Sequence, residues 1–367
     1  MTDTDDYRSL FLSDAPMIDT RAPAEFARGS FPHARNLPLM TDAERAQVGT
    51  CYKQQGQDAA IELGHSLVCG DVKTERVNQW LAFARQHPDG YLFCWRGGLR
   101  SQICQQWLAD AGCNYPRIRG GYKAMRRFLL DTMEEAINTR SFVVLGGHTG
   151  SAKTELLLQL DNSIDLEGLA HHRGSAFGKR VGGQPAQISF ENGLAIDLLK
   201  HQYRHPGEVV ILEDESRLIG RCALPENLQA AMKQAPLVMV ETELEERVEH
   251  SFTNYILRNL QDCQALLGET AGFDQFADDL QKALGNIRRR LGGARHSELN
   301  TIMVRALEQH RQGDSRGHRQ WIETLLRDYY DPMYNYQLQQ KQERVVFRGR
   351  PQAVVAYLQE NRALTGA

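Results

Sequence analysis

Phe142-Val143-Val144-Leu145-Gly146-Gly147-His148-Thr149-Gly150-Ser151-Ala152-Lys153-Thr154 decides the fold. It reads as a short buried strand, a glycine-rich loop and the start of a helix. Gly147 through Thr154 fits the phosphate-binding pattern G-x-x-x-x-G-K-[ST], except that Ala152 stands where the second glycine belongs. In such a loop the strand delivers the turn, and backbone N–H groups point inward. The lysine reaches phosphate oxygens, and the helix N-terminus adds its dipole. Gly147, His148, Thr149, Gly150, Ser151, Ala152, Lys153 and Thr154 are therefore the candidate diphosphate-binding residues, with Thr154 the place for a magnesium ion. Ala152 is expected to take helical dihedrals. No Asn-Lys-x-Asp run is present, so guanine recognition is not encoded.

Two further apolar strands follow, Val209-Val210-Ile211-Leu212 and Leu237-Val238-Met239-Val240. With helical connections they make an α/β domain over residues 138–242. The first of them ends in Glu213-Asp214-Glu215-Ser216. Alternation along an extended chain puts Glu213 and Glu215 on one side, towards the phosphates through magnesium or a water, and Asp214 on the other. Between lies Asp165-Leu166-Glu167-Gly168-Leu169-Ala170-His171-His172-Arg173-Gly174-Ser175-Ala176-Phe177-Gly178, rich in carboxylates, histidines and glycines. It reads as a loop over the site, with Glu167, His171, Arg173 and Gly174 as substrate contacts. Adjacent histidines do not readily face one metal, so no metal is assigned to them.

Upstream, residues 1–137 alternate short strands with helices, which predicts another α/β domain with a largely parallel sheet. Tyr91-Leu92-Phe93 leads into Cys94-Trp95-Arg96-Gly97-Gly98-Leu99-Arg100-Ser101, a strand, a tight turn and a helix starting near Ser101. Loop N–H groups, a helix N-terminus and flanking arginines all favour a thiolate at Cys94. The same cradle suits a small oxyanion. Cys94 is thus the candidate catalytic residue, with Trp95, Arg96, Gly97, Gly98, Leu99 and Arg100 as the anion loop.

Downstream, residues 243–367 lose the strand signal and become mainly helical. Leu244, Val248, Phe252 and Ile256 recur every four residues. From about 282 to 350, Lys and Arg outnumber Asp and Glu roughly two to one. Arg288, Arg289, Arg290 and Arg295 flank the Gly292-Gly293 turn, and the stretch Tyr329-Tyr330-Asp331-Pro332-Met333-Tyr334-Asn335-Tyr336 adds rings. Arginines pair with backbone phosphates and tyrosines stack on unpaired bases, so this region is the expected RNA contact.

Composition narrows the setting. The chain has 367 residues, 41% hydrophobic and 24% charged, with a net charge of −3. It is no polycation, so any nucleic-acid surface is a local patch. The polar, acidic start is no signal peptide, and no apolar run is long enough for a membrane span. Seven cysteines, none in a Cys-x-x-Cys pair, argue against a disulfide framework or structural zinc and for a reducing cytoplasm.

The two motif-bearing domains in this order resemble one family, tRNA 2-selenouridine synthase. The resemblance covers essentially the whole chain. It rests on Asp19-Thr20-Arg21-Ala22-Pro23-Ala24-Glu25-Phe26 with Phe31-Pro32-His33-Ala34-Arg35-Asn36-Leu37-Pro38, on the Cys94 loop, and on Gly147 to Thr154. Glu213-Asp214-Glu215-Ser216-Arg217 and Arg290-Leu291-Gly292-Gly293 add to it. Ala152 is the departure. The resemblance implies an N-terminal rhodanese-like α/β domain, a P-loop NTPase-like parallel α/β domain and a helical, basic C-terminal region. It implies geranylation of 2-thiouridine from geranyl diphosphate at the wobble uridine of tRNAs for Lys, Glu and Gln. Selenium from selenophosphate then replaces the sulfur. Both donors are co-substrates, and no tightly bound cofactor is implied. Cys94 would be nucleophile or selenium carrier, with Arg96 and Arg100 anchoring the anion. The alternative on the same motifs is an ATP-dependent tRNA sulfurtransferase using a Cys94 persulfide.

Overall fold

The computed structural model describes residues 2–363. The chain forms two compact units: Met1–Ala136 with Ala186–Lys200, and Ile137–Pro185 with His201–Ala367. This differs from the three-part reading of the sequence in two places. Residues 186–200 group with the first unit although they follow the phosphate loop, and the helical region is not separate from the phosphate-loop unit.

In the first unit, β1 (Met17–Asp19), β2 (Ala34–Asn36) and β3 (Tyr91–Phe93) form a parallel sheet in the order β2-β1-β3. Ile18 and Leu92 are fully buried on it, packed with Trp80, Phe83 and Leu108 from flanking helices. Asp19 and Arg21, also fully buried, form an ion pair at 2.6 Å. The Arg21 guanidinium donates further to the carbonyls of Glu25 and Gly29 and lies 3.7 Å from the Tyr122 ring centroid. A buried charge is tolerable only when its donors are met in this way.

The second unit is built on β4 (Phe142–Gly147), β5 (Val210–Glu213), a small hairpin of β6 (Leu218–Ile219) and β7 (Cys222–Ala223), β8 (Leu237–Val240) and β9 (Val345–Gly349). The main sheet is wholly parallel, in the order β5-β4-β8-β9. Continuous apolar strands with both faces covered suit a parallel sheet, and β4, β5 and β8 are buried throughout. β9 corrects the sequence reading, which finds no strand after Glu243. It is an edge strand with half-buried Val345, Phe347 and Gly349 alternating with exposed residues, and so carries little apolar signal. Helix Pro351–Glu360 then packs Val354 and Leu358 onto the sheet. Residues 244–344 are almost wholly helical, with a core of Phe276, Leu284, Met303, Trp321 and Leu325. Among the described residues no helix is long and apolar enough to cross a membrane.

Candidate active site

β4 delivers its C-terminal end directly into the phosphate loop. Glycine is required there by close approach: a Cβ on Gly147 would lie 2.5 Å from Ser151 Oγ, and one on Gly150 would lie 2.8 Å from the Arg247 carbonyl. Ala152 does not take the helical dihedrals expected of it. It sits at φ 60°, ψ 31°, in the left-handed region, and helix Lys153–Leu157 starts at the next residue. That is the conformation the pattern's glycine adopts freely, and for a residue with a Cβ it costs roughly 1–2 kcal/mol. Ala152→Gly is therefore expected to stabilise the unit by about 1 kcal/mol, read as a higher denaturant midpoint at unchanged slope. A lower midpoint would show that the loop holds alanine without strain.

Lys153 curls back over the loop, its Nζ donating to the carbonyls of Gly147 at 2.8 Å and His148 at 3.4 Å. The Gly147 N–H donates to Tyr334 Oη at 2.7 Å, and the His148 and Asn335 side chains meet at 2.8 Å. Arg247 donates from Nε to the Thr149 carbonyl at 2.9 Å and from Nη1 to Asp331 at 3.0 Å. Helix Asp331–Gln339 is thus tied to the phosphate loop. The sequence reading groups Tyr329–Tyr336 with the RNA-stacking residues. Tyr334 instead touches the loop, and Tyr330 is buried in the helical core. Phe177 lies in that core too, 5.4 Å from the Trp321 ring.

Carboxylates gather at the end of β5. Glu213 is buried; one oxygen accepts from the Leu166 N–H at 3.0 Å, and the other has no partner among the described residues. Burial first, then the charges of Asp165, Glu167 and Glu215, hold its pKa well above the usual carboxylate range. Glu215 is pushed up to about 8 by burial and by Glu167, with Lys153 pulling the other way. Glu167 accepts from Thr154 Oγ1 at 3.2 Å and from the Gly174 N–H at 2.6 Å. Gly174 leaves no room for a side chain: a Cβ would lie 2.4 Å from Glu215 and 2.7 Å from Glu167. Asp214 points elsewhere and pairs with Lys341 at 2.6 Å. The structure thus brings Lys153, Thr154, Glu167, Gly174, Glu213 and Glu215 together, while His171 bonds to the Gly183 carbonyl at 2.8 Å. Among the described residues, no group of three or more His, Cys, Asp or Glu is placed to hold a metal ion.

In the first unit Cys94 follows β3 and is 3% exposed. Its sulfur lies 3.3 Å from Ser101 Oγ, which donates to the Gly98 carbonyl at 2.9 Å. Helix Leu99–Asp110 begins two residues earlier than read from sequence. Gly97 has φ +62°, and a Cβ there would meet the Gly120 N–H at 2.7 Å. The turn at 120–123 pins the loop: Tyr122 and Lys123 donate N–H bonds to the carbonyls of Cys94 and Trp95, both at 2.9 Å. Trp95 stacks on Tyr122 at 5.3 Å. Arg100 is held by Glu25 at 2.6 Å, whereas Arg96 is exposed and has no ion pair among the described residues. Burial, then the neighbouring Cys94 sulfur, push the Cys104 thiol up, so the deeper sulfur stays protonated.

Of the arginines in the helical region, Arg311, Arg316, Arg319, Arg327 and Arg350 each pair with a carboxylate. Arg288, Arg289 and Arg290 are exposed in the last turn of helix Glu269–Leu291 and carry no ion pair among the described residues. Arg295, also exposed, donates to the Asp328 carbonyl at 3.3 Å and has no ion pair among the described residues.

A parallel sheet, a glycine-bearing loop closed by Lys153, and carboxylates on the adjacent strand end define a phosphate-loop domain of the AAA type. A family model described as tRNA 2-selenouridine synthase AAA domain matches residues 140–365. A protein from Hahella chejuensis named tRNA 2-selenouridine synthase is 58% identical over 99% of this chain and 96% of its own. Relatives of the same name from Pseudomonas syringae pv. syringae and Bordetella petrii are 58% and 56% identical, over 97% and 99% of this chain and 97% and 99% of theirs. The chain belongs to the tRNA 2-selenouridine synthase family.

Proposed function

We propose that this chain is an enzyme that converts 2-thiouridine at the tRNA wobble position to 2-selenouridine. The observation that carries the reading is one chain of this family holding both a phosphate loop closed by Lys153 and a cysteine at a glycine-bearing strand end. In the first step the base sulfur attacks C1 of geranyl diphosphate; the C–O bond breaks and diphosphate leaves with the electron pair. Lys153, the loop amides between Gly147 and Ser151 and the helix start stabilise that departing charge. Thr154, backed by Glu167, is the hydroxyl that would share a magnesium ion with the phosphates. Alkylation turns the sulfur into a leaving group. In the second step the selenium of selenophosphate adds at C2, the C–S bond breaks and geranylthiolate leaves with the electron pair. Water then takes the phosphoryl group, breaking the Se–P bond and releasing phosphate, so that selenium stays on the base.

The first unit supplies the second step. Its three-stranded parallel sheet and Cys94 loop are read as rhodanese-like, with Cys94 organising or carrying selenium and Arg96 facing the anion. Arg100 anchors the loop through Glu25 and is less available to substrate.

Purified protein given geranyl diphosphate and thiolated tRNA, without ATP, tests the reading: the wobble base gains a geranyl mass, and selenophosphate then exchanges it for selenium. A dependence on ATP would favour sulfur transfer instead. For the tRNA surface, Arg288→Ala with Arg289→Ala is expected to weaken binding and to flatten its salt dependence, by about 0.7–0.9 in log–log slope for each phosphate the protein no longer neutralises. An unchanged slope across a salt titration would remove these arginines from the interface.

A further inference from the structure

Residues 171–183 hold two cations, Arg173 and Arg180, with no ion pair among the described residues. The Arg173 N–H donates to the Gly178 carbonyl at 2.9 Å, and His172 bridges antiparallel to Lys179. The turn between them is closed by the Gly178 N–H on the Ser175 carbonyl, also at 2.9 Å. This is a tight hairpin. Arg173 and Arg180 directly follow the bridged His172 and Lys179, one on each arm of the turn. Gly178 faces Arg173 and must be glycine, because a Cβ there would fall 1.4 Å from the Arg173 carbonyl oxygen.

The two guanidiniums repel. Burial first, then the charge of Arg180, pull Arg173 below the usual guanidinium range, and His172 is lowered by burial and then by both arginines. Arg173 Nη1 and Arg180 Nε are buried and have no hydrogen-bond partner among the described residues. Glu167, in electrostatic range of Arg173, already accepts at both oxygens, from Thr154 and Gly174. Guanidinium N–H groups are donors only, so the group these two unpartnered nitrogens suit is an anion with several acceptor oxygens.

The segment is tied to the phosphate-loop site. Gly174, next to Arg173, is joined through Glu167 to Thr154. Lys153 and Arg173 both act on His250, and Arg173 stands 5.8 Å from the ring centroid of Tyr255. We infer that Arg173 and Arg180 form a subsite for the second phosphoryl group of a diphosphate whose first is held by the phosphate loop. The inference rests on the diphosphate reading of that loop given above.

Calorimetric titration with inorganic pyrophosphate and inorganic phosphate tests it on the full chain. The intact protein is expected to bind pyrophosphate more tightly than phosphate. Arg173→Gln and Arg180→Gln should each weaken pyrophosphate by about tenfold or more and leave phosphate within about twofold. Removing one of two repelling charges should not lower the unliganded melting temperature, whereas a purely structural arginine would lower it. Arg180→Lys keeps the charge but not the planar fork and should give an intermediate loss. Pyrophosphate binding to Arg173→Gln and Arg180→Gln equal to that of the intact protein overturns the subsite and leaves the loop reading standing. No binding of either anion by the intact protein overturns the loop reading itself. A loss seen with ATP but not with pyrophosphate overturns the assignment to a diphosphate.

Discussion

Lys153→Ala is expected to lower geranyl transfer to thiolated tRNA by about 10²–10³-fold, the cost of removing one preorganised donor from a developing anion. The reason is positional. Lys153 Nζ already lies on the carbonyls of Gly147 and His148, the loop's own backbone. A diphosphate arriving there exchanges two ammonium–carbonyl hydrogen bonds for ion pairs with phosphate oxygens. Selenation of tRNA that already carries the geranyl group should survive the substitution, because no diphosphate leaves in that step. Mass spectrometry of the wobble base separates the two. Equal failure of both steps would show that the phosphate loop serves the whole reaction and that the division between units is wrong.

Cys94→Ala has the complementary expectation. Selenium incorporation should fall by on the order of 10⁶-fold, as when a nucleophile is deleted from a site that retains its binding groups. Geranylation should persist. The sulfur has Ser101 Oγ at 3.3 Å, and the deeper Cys104 thiol is held protonated by burial, so no second sulfur in the loop can take its place. Selenation at the wild-type rate by this variant would take Cys94 out of the chemistry.

What the sequence revealed follows the reach of local rules. Strand, loop and helix around Lys153 are contiguous, so pattern and turn chemistry found them together. Period-two alternation separated Asp214, which binds Lys341, from Glu213 and Glu215, which meet Glu167. Tyr334 and Arg247 were not legible as parts of the phosphate site, because nothing near them in sequence signals a contact with Gly147 or Thr149. The left-handed backbone of Ala152 was hidden for the opposite reason. Alanine is the best of helix formers, and only the demands of the loop override that preference. β9 escaped because an edge strand in a helical context alternates too weakly to stand out.

That last strand has a consequence for how the protein is made. β8 leaves the ribosome about a hundred residues before its partner β9, and Tyr334 reaches Gly147 only after the intervening helices are synthesised. During translation the phosphate loop therefore sits beside an open sheet edge, without its tyrosine. Pairings this distant in sequence are slow to close, and exposed edges invite the wrong partner. The nascent chain thus cannot complete its phosphate loop early. Ribosome-stalled chains ending before Tyr334 should carry an incomplete phosphate loop, whatever the state of their Cys94 unit.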